Sequence, residues 1–266
     1  MIKTINDLKT LDGHIFAEFE KAIAQHLRFL LFDSEFKNTA DICFMFMYST
    51  DRLKSSIFDC AEKDDFYSLN VLYRSINEHY LRFEYFWFNN ALHKHDRYAL
   101  LFRASLDFSE KLAIENAINS AKKIKNQETK TSEEIWSELV NSNKEFKKFT
   151  KGEIIEFSKN LSIKNIIRYL EKTFNSNGNE TVPFLQNTII EYTILSSFVH
   201  GGIEASKQTV NFGVLKDKEK RYLNICKRTL QIATSIKTSS YLAFSQFMPE
   251  FKEFHDITQE LKIQIK

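Results

Sequence analysis

Glycine and proline are nearly absent, with Gly 6 and Pro 2 in a chain of 266 residues. Sheet proteins depend on these residues for their turns. Their scarcity argues against a fold of many short strands and favours long helices joined by few loops. Cysteine is scarce and scattered: Cys43, Cys60 and Cys226 are odd in number, widely spaced and form no C-x-x-C pair. That pattern supports neither a disulfide framework nor a zinc site and fits a reducing compartment. No long apolar run is present. The strongest, Ile42 to Tyr48, falls far short of the ~20 residues that a membrane-spanning helix requires. Residues 1–7 have no apolar region of the kind that opens a secretory signal. A cytoplasmic protein without a membrane partner is the expectation.

A charge excess is also missing. The net charge is +2 and the pI is near 8.2, too balanced to argue for nucleic-acid binding alone. Basic clusters at Lys122, Lys123 and Lys125, and at Lys144, Lys147, Lys148 and Lys151, read first as solvated faces and second as a phosphate-binding strip. The chain contains no G-x-G-x-x-G, no G-x-x-x-x-G-K-[ST] and no H-E-x-x-H, which disfavours dinucleotide, P-loop and metalloprotease chemistry. The Glu-x-x-His pairs of di-iron bundles are missing too. His93 and His95 flank a helix boundary and read as exposed rather than metal-binding. No cofactor and no metal is expected.

Helical periodicity dominates what is present, and 25 phenylalanines supply a large aromatic core. Residues 5–32 and 36–62 carry apolar residues at helical spacing. Asp64-Asp65 can cap a third helix, in which Phe66, Leu69, Tyr73, Ile76, Tyr80, Phe83 and Trp87 form a 3-4-3-4 seam. Further helices are expected over about 96–122, 133–148, 162–174, 183–200 and 216–248. Polar residues 123–135 read as a loop, Asn175 to Asn179 as a turn, and the residues after Pro249 as a short amphipathic tail. The sum is an all-α bundle of about seven to nine helices in a single domain over 1–266, with 123–160 as an insertion or subdomain boundary. The richness in Lys, Asn and Ile suggests an AT-rich bacterial genome.

The most informative stretch is Phe66 to Trp87. There Arg74 and Glu78 stand four residues apart within an otherwise apolar segment, with His79 beside them. A buried charge costs several kcal/mol unless it is paired. The pair therefore either locks the core or belongs to a site. Arg suits phosphate because its planar fork donates in pairs. A second set lies on the helix that ends at Gly201-Gly202. Tyr192, Ser196 and His200 share a face at i, i+4 and i+8, and His200 either caps the helix end or faces Arg74 and Glu78. Ser197 and His200 lack a sequence-placed carboxylate, so a hydrolase triad is disfavoured.

Arg74-Ser-Ile-Asn-Glu-His79 is an Arg-x4-His, which resembles the catalytic motif of the HEPN superfamily of helical bundles. These include many bacterial toxin and antiviral ribonucleases. The residue after the Arg is often Asn in that family and is Ser75 here. Five residues on a regular helix set Arg74 and His79 about 140° apart, so a shared site would need a distorted helix or a dimer interface. Arg-x-x-x-Glu paired with a later Tyr-x-x-x-Ser-x-x-x-His is also similar to a family of uncharacterised bacterial all-helical proteins, over about 35–90 and 160–245. Some of these are thought to be distant HEPN relatives.

The resemblance implies a homodimeric, metal-independent ribonuclease in antiphage defence or a toxin system, with RNA as its partner. Arg74 would bind the scissile phosphate and His79 or His200 would move protons. Glu78 would orient Arg74, and Tyr192 or Ser196 would support the imidazole. The alternatives are a non-enzymatic helical scaffold for a protein or nucleic-acid partner, with Arg74–Glu78 as a core lock, and a nucleotide-sensing module.

Overall fold

The computed structural model describes the backbone of residues 3–142, 144–177 and 182–247, and their side chains except those of 174–185 and 247. Among these residues every regular element is helical. The helices are α1 (Ile5–Ala24), α2 (Lys37–Glu62), α3 (Phe66–His93), α4 (Asp96–Ile124), α5 (Ser132–Ser142), α6 (Lys151–Asn160), α7 (Ile163–Asn177), α8 (Val182–Val199), α9 (Ile203–Gly213) and α10 (Lys218–Phe247). A π-helical turn covers Phe29–Asp33 and a 3-10 turn covers Lys144–Lys148.

Ten α-helices exceed the seven to nine expected, and α6 and α9 account for the excess. The start of α6 carries a readable signal, since Thr150 and Glu153 form a reciprocal capping box. The start of α9 has none, because its N-cap is Gly202 with no side-chain bond. The periodic stretch 5–32 is also not one helix. It breaks after Ala24, and Ser34 N–H closes the π turn on the Phe29 carbonyl at 2.9 Å. Within the expected turn at 175–179, Asn175 to Asn177 continue α7, while Gly178 and Asn179 lie outside the described residues, as does the tail after Pro249.

The long central helices start where side chains satisfy the free N–H groups of their first turns. Asp65 caps α3 by accepting from Ser68 N–H. The N-cap residue of α2, Phe36, makes no side-chain cap; Asp96 from α4 serves instead. Its carboxylate accepts from the backbone N–H of Asn38 and Thr39 at 3.2 and 2.8 Å and from both their side chains.

Helix α3 is the centre of the molecule, packing against α2, α4, α7, α8, α9 and α10. Its buried face includes Leu69, Tyr73, Ile76, Tyr80, Phe83 and Phe86. Burying each such side chain contributes about 1.5–3 kcal/mol. A smaller core forms where α5, the 3-10 turn and α6 cover the outer part of α4, with Phe108, Ile135, Leu139, Phe146 and Ile154. Cys43 and Cys226 are buried free thiols, each pushed up to about 12 by removal from water.

A buried ionic cluster joins α1, α2 and α10. Asp51 accepts from Lys54 at 2.9 Å and from Lys237 at 2.8 Å, and Lys54 also pairs with Asp12. Burial and the neighbouring Lys54 hold the Lys237 ammonium below the usual lysine range.

No helix among the described residues is long and apolar enough to cross a membrane.

Candidate functional site

Arg74 leaves α3 toward α8, where three side chains fix its guanidinium. Nη1 donates to Glu78 at 3.1 Å, Nη2 to the Tyr192 hydroxyl at 3.0 Å, and Nε to Ser196 Oγ at 3.5 Å. The guanidinium carbon also lies 4.8 Å from the centre of the Tyr192 ring, a cation–π distance. Glu78 turns its second oxygen to Arg82 Nη2 at 2.8 Å. The regular i, i+4, i+8 spacing of Arg74, Glu78 and Arg82 thus produces a cation–carboxylate–cation row on one helix face. Arg74 and Glu78 are only 15% and 22% exposed, so the row sits at the edge of the core with one side open. Burial and the Glu78 charge raise the Tyr192 phenol, against the opposing pull of Arg74.

Beside Tyr192 a groove of about 460 Å³ opens between α7 and α8, lined by Lys164, Ile167, Arg168 and Glu171. Among the described residues Lys164 and Arg168 line this groove against one carboxylate, Glu171, and Tyr192, which also lines it, is the residue whose hydroxyl holds Arg74. The Arg82 partnership was readable from spacing. Lys164 and Arg168 were not, because only the packing of α7 on α3 brings them here.

Of the residues singled out from sequence, Arg74, Glu78, Tyr192 and Ser196 meet. Ser197 does not join them; its hydroxyl donates to its own helix at the Ile194 carbonyl, 3.2 Å away. His79 lies on the α2 side of α3, with Nδ1 2.9 Å from the Ser75 carbonyl and its ring edge-on to Phe46. A carbonyl can only accept, so Nδ1 carries the hydrogen. The helix is regular through this region, and the 140° between positions 74 and 79 persists. His93 stacks on Tyr98, and His95 caps α4.

His200 sits at the end of α8, exposed, one turn beyond Ser196. Gly201 adopts a left-handed φ of 62°, and Gly202 N–H donates to the Ser197 carbonyl at 2.8 Å, a Schellman closure. The Tyr67 hydroxyl donates to the Phe198 carbonyl at 2.6 Å. Two terminal carbonyls that the imidazole could have capped are therefore occupied by other donors, and the ring is left in solvent. No hydrogen bond or ion pair joins either His79 or His200 to Arg74 or Glu78 among the described residues.

The arrangement can hold an anion. Arg74 is oriented by neighbours rather than swinging free, so a phosphate reaching its open side would meet a donor fork already fixed in place. No group of three or more His, Cys, Asp or Glu side chains that could hold a metal occurs among the described residues. No known protein family, curated protein or solved structure matches the chain.

Proposed function

We propose that this protein is a HEPN-like, metal-independent ribonuclease, with Arg74 as the phosphate-binding residue and His200 as the proton-transfer group. The observation that carries the reading is the anchoring of Arg74 on α8. Ser196, which contacts the guanidinium, precedes His200 by one turn on the same face, about 6 Å along the axis. A phosphodiester held by Arg74 can thus reach an exposed imidazole with no capping duty. The 5′-oxygen of the next nucleotide would leave, protonated by water, as the phosphorus closes to a 2′,3′-cyclic phosphate, and the 2′-hydroxyl of the substrate would be the nucleophile. His200 would accept its proton, and Arg74 would stabilise the negative charge that builds on the phosphorus oxygens. Glu78 and Tyr192 hold Arg74 in place and touch no reacting atom. His79, engaged by Ser75 and Phe46, supports the core in this reading.

The test is induced bacterial expression of the wild type and of the Arg74→Ala, His79→Ala and His200→Ala variants, following growth and total RNA integrity together. Growth arrest with RNA breakdown in the wild type and His79→Ala, but in neither of the others, is the expected result. Intact RNA in every strain, and in lysates challenged with phage, would remove the ribonuclease reading.

A second reading is a non-enzymatic helical module. One observation favours it: every nitrogen of Arg74 already has a partner within the chain, as a structural lock requires. Unfolding of Arg74→Ala would point to that reading.

A further inference from the structure

On the other flank of α8 lies a second groove that the proposed activity does not use. Helices α8 and α10 both pack on α3 but make little contact with each other, leaving a cleft floored by Phe66, Asn70 and Tyr73. One part of it encloses about 560 Å³ and the next about 350 Å³; Tyr73, Glu191, Asn224 and Ile225 line both. Among the described residues the one carboxylate lining either part is already neutralised: Glu191 accepts from the Tyr73 hydroxyl at 2.7 Å and lies 3.7 Å from Arg228 Nε.

Two other polar side chains of the cleft are committed, Gln208 to Glu204 at 3.1 Å and Arg228 to Thr188 at 3.0 Å, while several amides are not. Among the described residues the side chains of Asn187, Asn211, Asn224 and Gln231 have no protein partner, and Asn70 spends its Nδ2 on the Phe66 carbonyl at 2.6 Å while its Oδ1 keeps none. Arg221 and Lys227 line the cleft without an ion pair among the described residues. Phe66, Ile194, Leu195 and Ile225 form the apolar walls.

We propose that this cleft binds an extended acidic peptide segment of a partner protein. Each free primary amide offers donors and an acceptor, matching the N–H and C=O of a peptide group. Such amides recur along one face of α10, at 224 and 231, with Arg221 and Lys227 supplying the complementary positive charge. From Arg221 to Gln231 the helix rises about 15 Å, the reach of four or five extended residues at about 3.3 Å each. Apolar side chains of the segment enter beside Ile194 and Ile225, and its carboxylates meet Arg221 and Lys227. Single-stranded RNA fits less well, because bases seek open aromatic faces. The aromatic residues here are committed: Phe66 stacks on Phe212 with centroids 3.8 Å apart, and Tyr73 is buried at 4% exposure. The proposal is independent of the Arg74 activity.

A random hexapeptide library displayed on phage, selected against the full-length protein, provides the test. Enriched sequences are remade as fluorescein-labelled peptides, and anisotropy is measured against the wild type and the Arg221→Glu and Asn224→Leu variants. Positions 221 and 224 are exposed, so both variants keep the fold, which circular dichroism checks. Enrichment of peptides combining Asp or Glu with apolar residues, and at least tenfold weaker binding in each variant, is expected. Three results overturn the proposal: no sequence enriched above the level seen with the Arg221→Glu, Asn224→Leu double variant; peptide binding unchanged by either substitution; or labelled hexauridylate binding that the double variant loses while no peptide binds.

Discussion

Arg74 and Tyr192, separated by 118 residues, meet through a 3.0 Å hydrogen bond from Nη2 to the phenol oxygen. The contact ties the centre of α3 to the middle of α8 and holds a charged fork at the edge of an apolar core. A guanidinium so held has lost its rotamer freedom on folding rather than on binding a ligand. That is the physical basis for treating the cluster as a site.

Replacing Arg74 with Ala removes one end of the cation–carboxylate–cation row but leaves Glu78 paired with Arg82 at 2.8 Å. The expected loss of stability is therefore only about 1–2 kcal/mol, while RNA cleavage falls by roughly 100-fold or more. Arg74→Lys keeps the charge without the fork and should recover little of the activity. Thermal melts beside a cleavage assay separate the two effects; parallel loss of fold and activity would mean the pair is structural.

The two histidines should respond in opposite ways. His200 is exposed, so His200→Ala leaves the melting temperature within about 1 °C while abolishing cleavage. His79→Ala loses a hydrogen bond to Ser75 and an edge contact with Phe46, about 1–2 kcal/mol together, with cleavage kept. A reversal of this pattern would move the catalytic role to His79.

Asp51 is the shared acceptor for Lys54 and Lys237, which are 3% and 6% exposed. In Asp51→Asn, Lys54 retains Asp12, whereas Lys237 is left as a buried ammonium without a carboxylate. Breaking a buried pair in this way costs about 3–5 kcal/mol, a fall of roughly 6–20 °C in Tm. Adding Lys237→Met should restore part of it. A single variant that melts with the wild type would show that the cluster contributes nothing.

Glu84 on α3 governs a pH dependence. Removal from water pushes its carboxyl from 4.5 up to about 7, against the opposing hydrogen bond from Tyr80. Between these values the folded state holds more protons than the unfolded chain, so this group's contribution to stability falls as pH rises from about 4.5 to 7 and then levels. Glu84→Gln removes that slope. Urea midpoints at pH 5 and pH 8 check it: the variant should gain on the wild type at pH 8 relative to pH 5, and an equal difference at both pH values would rule Glu84 out.

Much of the helical plan was legible because burial imposes a period on the chain. The α3 seam from Phe66 to Trp87, the Asp65 cap and the glycine stop at Gly201 all stand in the sequence and hold in the fold. The breaks were harder to read. Positions 27–31 keep an apolar pattern through the π turn, although Leu27 and Phe29 are each 39% exposed. The i, i+4 spacing placed Arg74 beside Glu78 in advance, yet offered no view of what faces them across the bundle.

By itself the sequence determined the class of structure and the local neighbours, since helical spacing, capping residues and i, i+4 pairs act within a few turns of one chain segment. Only the tertiary structure decided which distant groups meet. Asp96 caps α2 from 57 and 58 residues away, Tyr67 takes the carbonyl that His200 could have capped, and α8 and α10 stand apart over α3 to leave a cleft between them. These outcomes follow from how whole helices pack to bury their apolar faces. That packing depends on side-chain volumes summed over many contacts and is written in no single motif.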